Sequence, residues 1–154
     1  VLRKKGTVAL HVMELWIPGQ PKPKKRPQFN SKTHAAFTPR VTMREEALIR
    51  EFGAKWVQEH GWSTPWEGPF TAQCLFLFPK PTDFWDGKEP GQNCGDLENL
   101  AKLIYDALQT VVFKNDKDLV GSSCDKAFSN TPGVLLRLKF YPTISKPQKP
   151  RKKK

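Results

Sequence analysis

No stretch of this chain is apolar for the roughly 18 residues that a membrane-spanning helix needs. The first residues, Val1 to Gly6, are charged and contain no apolar segment followed by a small-residue cleavage site, so a secretory signal is not expected. Cysteine is scarce and odd in number. Cys74, Cys94 and Cys124 stand far apart, with no pair at metal-knuckle spacing. A disulfide framework or a zinc site is therefore not expected, and a reducing cytoplasm fits best. Cys74, inside an apolar run, reads as a small core residue.

Acids are also in short supply. Fifteen Asp and Glu face twenty-six Lys and Arg, for a formal charge of +11 in 154 residues. The segment from Pro142 onward carries Lys146, Lys149, Arg151, Lys152, Lys153 and Lys154 and no acid; without those six the rest still holds +5. A positive body points to a polyanion, of which nucleic acid is the commonest. Charge alone does not separate DNA from RNA or anionic lipid, and a solubilising surface gives the same count.

The chain length suits one compact domain. Leu10 to Ile17 alternates as a strand does. Pro18-Gly19-Gln20-Pro21-Lys22-Pro23-Lys24-Lys25-Arg26-Pro27 excludes a helix and predicts an extended basic loop. Thr42 with Glu45 three residues on matches a capping box, and Leu48, Ile49, Phe52 and Trp56 follow at helical spacing up to Gly61. His60, beside that end, reads as a helix-terminus residue. Pro69 to Phe78 is strand-like, Pro79 to Gly95 a long loop, and Asp96 to Gln109 a second helix with Leu97, Leu100, Ile104, Ala107 and Leu108 as its buried stripe. Leu119 to Ser129 and Val134 to Tyr141 read as two strands joined by a turn at Asn130-Thr131-Pro132-Gly133. The expected fold is α+β (mixed α/β): a single small domain over 1–142, with a mixed sheet of about four strands packed by two helices. A basic tail over 143–154 is expected to stay disordered alone.

In so basic a protein, acids gathered in one place need a reason. Asp96 and Glu98 sit at the start of the second helix, Lys102 one turn beyond Glu98 and Asp106 one turn beyond Lys102. The plain account makes Asp96 an N-cap, Glu98 a first-turn acid favoured by the helix dipole, and Glu98–Lys102 a helical ion pair, each worth about 1 kcal/mol or less. Asp116, with Asp118 nearby, is by itself a turn residue. If the fold brings Asp116 to Asp96 and Glu98, three carboxylates share one pocket. At about 4 Å each like-charged pair costs about 4 kcal/mol at an effective dielectric of about 20. A cation would relieve that repulsion, and carboxylate oxygens suit Mg²⁺, or Mn²⁺ in its place.

Two separated motifs resemble the RusA family of Holliday junction resolvases, common in phages and prophages. The family's Asp-x-Asp-Asn-Leu-x-Lys stretch reads here Asp96-Leu97-Glu98-Asn99-Leu100-Ala101-Lys102, followed by Asp106-Ala107-Leu108 and the acidic turn Asn115-Asp116. Its opening pattern reads Ile17-Pro18-Gly19-Gln20-Pro21, then Arg26-Pro27-Gln28-Phe29. Glu98 stands where aspartate is usual, and Asn115 where a second acid often precedes the catalytic one. The resemblance implies metal ligands at Asp96, Glu98 and Asp116, a catalytic Lys102, Mg²⁺ as cofactor, a homodimer, and branched DNA as substrate in a bacterial or phage-infected cytoplasm. Lys102 has two readings of equal weight, catalytic or merely paired with Glu98. Lys22, Lys24, Lys25, Arg26, Lys114 and Lys117 are the expected phosphate contacts. Phe29 is an expected DNA contact that would wedge or stack at the crossover, with Phe84 and Trp85 as further candidates. Two rival readings are a non-catalytic branched-DNA or RNA binder with a degenerate site, and a restriction-type nuclease core, which prefers a single residue between its acid and its lysine.

Overall fold

The computed structural model describes residues 8–144. Most of the expected basic tail therefore lies outside the described residues. Strand β1 (His11–Pro18) is followed by a short hairpin, β2 (Gln28–Phe29) and β3 (Ala36–Phe37), then helix α1 (Arg40–Glu59) and strand β4 (Phe70–Pro79). A long loop with a 3₁₀ turn (Gln92–Cys94) leads to helix α2 (Leu97–Leu108), a second 3₁₀ turn (Asp116–Asp118), and strands β5 (Leu119–Ser129) and β6 (Gly133–Phe140). The sheet order is β1-β6-β4-β5, with β4 and β5 parallel and the other pairs antiparallel. This is the expected small α+β domain with a four-stranded mixed sheet and two helices. Among the described residues no helix is long and apolar enough to cross a membrane.

Period-two alternation decides which face of the sheet is buried. Phe70, Ala72, Cys74, Phe76 and Phe78 of β4 line up with Val134, Leu136, Leu138 and Phe140 of β6 and with Met13 and Ile17 of β1, all essentially inaccessible. They form one core with Ile49 and Trp56 of α1 and Leu100, Leu103, Ile104, Ala107 and Leu108 of α2. Each Val, Leu, Ile, Phe or Met among them contributes about 1.5–3 kcal/mol on burial. The opposite face is mixed: Glu14, Gln73, Asp125 and Arg137 are exposed there beside the half-buried Trp16, Leu75 and Leu77 and the exposed Leu135.

Two local expectations are corrected. Thr42 does not cap α1: the helix begins at Arg40 after Pro39 and has no side-chain cap. Pro39 stands at the cap position with an extended ψ of 142°, and its carbonyl oxygen accepts the Met43 N–H at 3.2 Å. Thr42 is buried, and its Oγ1 accepts the Lys25 backbone N–H at 3.3 Å. Leu48 lies on the exposed side of α1. β5 and β6 are joined by the expected turn, and β4 lies between them in the sheet. The turn is therefore a short crossover at the end of β4. At the other end of the sheet His60 closes α1, stacked on Trp56 at 3.9 Å with its Nδ1 2.8 Å from the Trp56 carbonyl oxygen.

Candidate active site

The unit β4–loop–α2–turn–β5 builds the site. Asp96 is the N-cap of α2. Its Oδ1 accepts the Asn99 backbone N–H at 2.8 Å and its Oδ2 the Asn99 side-chain amide at 3.1 Å. From β5, Lys126 Nζ donates to the Gly95 carbonyl oxygen at 2.9 Å, fixing the loop just before the cap. Along α2 the amphipathic period turns Glu98, Lys102, Tyr105 and Asp106 away from the leucine stripe. They meet Asp116 from the 3₁₀ turn and Ser122 and Cys124 from β5 around an open cleft of about 490 Å³.

Glu98, Lys102 and Asp116 are exposed on this cleft, and none has a side-chain hydrogen bond or ion pair with another described residue. The helical ion pair Glu98–Lys102 is not formed. Asp106 is different. It is paired with Lys24, whose Nζ also lies 3.3 Å from Glu46 Oε1. Burial works against the Lys24 charge, but Asp106 and then Glu46 outweigh it and raise the ammonium above the ordinary lysine pKa. Asp96 does not line the cleft, and among the described residues no three His, Cys, Asp or Glu side chains come together closely enough to hold a metal ion. Asn115, in place of an acid, caps the 3₁₀ turn by accepting the Lys117 backbone N–H at 3.0 Å.

The expected phosphate contacts divide into two groups. Lys24 points inward to Asp106 and Glu46, Lys22 pairs with Glu45 at 2.9 Å, and Lys114 with Glu67 at 2.9 Å. Lys25, Arg26 and Lys117 are exposed, with no side-chain partner among the described residues. Phe29, on β2, is 74% exposed, and Trp85 is 62% exposed. Phe84 packs edge-on against Phe128 with Lys80 over its ring, which removes it as a wedge.

The family model described as Endodeoxyribonuclease RusA matches residues 18–153, nearly the whole chain. The chain belongs to the RusA endodeoxyribonuclease family. RusA endonucleases resolve Holliday junctions, so the chain belongs to a DNA-cutting family. No curated protein matches the chain closely enough to be compared.

Sequence reasoning about this RusA chain missed Tyr105, Ser122 and Cys124. The Tyr105 and Ser122 hydroxyls are 2.6 Å apart, and burial raises the phenol pKa well above its ordinary value. Tyr105 was within reach, three residues beyond Lys102 on the same helix face. Ser122 and Cys124 become visible only once the β4–β5 register is known.

A divalent cation is compatible with the residues present. Mg²⁺ characteristically takes one or two protein carboxylates and keeps several waters. Glu98 and Asp116 offer two unpaired carboxylates to one cleft that has no histidine; the Cys124 thiol is its only soft atom.

Proposed function

We propose that this RusA-family chain is a Mg²⁺-dependent, structure-selective endodeoxyribonuclease that resolves four-way and related branched DNA by paired nicks, leaving 5′-phosphate ends. The observation that carries this reading is the shared cleft, in which the carboxylates of Glu98 and Asp116 and the ammonium of Lys102 stand unpaired on different elements. Carboxylates left unpaired in a basic protein have an unused capacity for a cation. Glu98 and Asp116 would hold it, with Asp96 joining them if its carboxylate leaves Asn99. When bound, Mg²⁺ supplies Lewis-acid activation of water and neutralises phosphodiester charge.

The protein's own residues do the remaining work. Lys102, having no carboxylate to release, is available to stabilise charge on the equatorial phosphate oxygens as water attacks in line and the 3′ oxygen leaves. Asp106 is kept out of this chemistry by Lys24. Lys25, Arg26 and Lys117 neutralise backbone phosphates and set the register of the duplex arm. Phe29 has the exposure to stack on a base at the open crossover. A two-fold homodimer presents two such sites to the two strands that must be cut; Mn²⁺ would substitute for Mg²⁺.

The Asn99-held carboxylate of Asp96 favours a second reading, a branched-DNA or RNA binder that no longer cuts. Incubating the full chain with a synthetic four-way junction in Mg²⁺ or in EDTA separates the two. Symmetric nicks that require Mg²⁺ support the nuclease. A gel shift with no nicks in either condition supports the binder.

A further inference from the structure

Two cysteines fifty residues apart in sequence meet across the sheet. Cys74 of β4 is the direct cross-strand partner of Cys124 on parallel β5. Both side chains project from the helix-facing side, because both approach the same hydroxyl: Cys74 Sγ lies 3.8 Å and Cys124 Sγ 4.0 Å from Tyr105 Oη. The two sulfurs thus share one hydroxyl as a common neighbour, each within 4.0 Å of it. Neighbouring strands lie about 4.8 Å apart, inside the roughly 4.4–6.8 Å of Cα separation that a disulfide spans.

The two sulfurs differ. Cys74 is 3% exposed. Cys124 lines the open cleft, with Ser122 Oγ 3.6 Å from its sulfur. The adjacent Cys74 thiol, then the Ser122 and Tyr105 hydroxyls, favour the thiolate at Cys124 against the effect of burial, while the neighbouring Cys124 and burial keep Cys74 protonated. An accessible, readily ionised sulfur beside a protected one is the arrangement of an attacking and a resolving thiol. Cys94, on the loop before α2, has neither partner.

We propose that Cys74 and Cys124 form a peroxide-oxidisable dithiol that closes to a disulfide in the wall of the cleft. The Cys124 sulfur attacks hydrogen peroxide: an S–O bond forms, the O–O bond breaks, and hydroxide leaves to take up the Cys124 proton as water. The Cys74 sulfur then attacks the sulfenic sulfur. The S–S bond forms, the S–O bond breaks, and the departing hydroxide takes the Cys74 proton as a second water. Two thiols lose two electrons and one peroxide gains them. This chemistry does not require the cleft to cut DNA.

The test treats the full-length chain with hydrogen peroxide, quenches it, and counts thiols after denaturation. The count falls from three to one and returns to three with a phosphine reductant, and the linked peptides contain Cys74 and Cys124. Cys94→Ser shows the same loss, from two to none. Cys74→Ser instead stops at a sulfenic acid on Cys124 that a dimedone probe captures. Thiol loss without a Cys74–Cys124 link, a link through Cys94, or three thiols left intact by a peroxide dose that labels Cys124 with dimedone in Cys74→Ser overturns the proposal.

Discussion

Lys24 of the proline-rich loop reaches Asp106 on α2, eighty-two residues away, and ties the loop to the helix that carries the candidate site. Its backbone repeats the attachment, donating to the Asn99 carbonyl oxygen at 3.1 Å, while the next residue donates to Thr42 on α1. The loop is thus a strap across both helices.

Removing that tie should cost stability. Asp106→Ala leaves the partly buried Lys24 ammonium with Glu46 alone, and a loss of about 1–3 kcal/mol is expected from a charged hydrogen bond of this kind. Denaturant unfolding against the parent chain checks it. Because the folded Lys24 pKa is raised, its contribution is fully present below the ordinary lysine value of about 10.4 and is lost as pH rises through the higher folded value. The stability difference between the parent chain and Lys24→Met should therefore shrink above that pH; a difference that stays constant in strongly alkaline buffer contradicts it.

Asp96→Asn separates two roles of one residue. Asparagine caps a helix about as well as aspartate, so the melting temperature should hold. Cleavage of a four-way junction in Mg²⁺ should fall by about ten- to a hundredfold or more, the range seen even for outer-shell groups of a metal site, with junction binding retained. Unchanged cutting would remove Asp96 from the metal set and leave only its cap.

Lys102→Met breaks no ion pair, so stability should move by no more than about 0.5 kcal/mol. If the ammonium stabilises the reacting phosphate, turnover should drop by about a hundredfold or more. Gel-shift affinity measured in EDTA should change little.

Salt dependence distinguishes the outward cations from the inward one. Lys25→Ala and Arg26→Ala should each reduce the log–log slope of junction affinity against salt by about 0.9 for every phosphate left without its cation. Asp106→Ala, by freeing Lys24, should not lower that slope. Titrations at several salt concentrations read both effects.

Gly133 begins β6 beneath Trp16. A Cβ there would lie 2.2 Å from the indole and 2.8 Å from the Ile17 carbonyl oxygen. Gly133→Ala should cost about 1–3 kcal/mol through overpacking, measured by thermal unfolding.

Much of the fold could be read from local pattern. Strand β4 and helix α2 are long and periodic, so Phe70 to Phe78 and the Leu100–Ile104–Leu108 stripe announced themselves. The Asp96 cap also follows from residue type and position. What was not legible depends on distant partners. Thr42 looked like a helix cap because nothing local shows that Lys25 will claim its hydroxyl. Lys24 looked like a phosphate contact because its carboxylates lie on two other elements. The two-residue strands β2 and β3 are too short to carry a period, and the Cys74–Cys124 pairing needed the parallel register.

Strand β5 is bonded to a neighbour on one side only, at the rim of the sheet. The halves of the cleft thus rest on supports of unequal strength: Glu98 and Lys102 on a helix anchored by the deepest leucines, Ser122 and Cys124 on a border strand. Fraying of that border would part the two halves while the interior stays intact. Amide protons of β5 should accordingly exchange with deuterium ahead of those of β4, its inner neighbour.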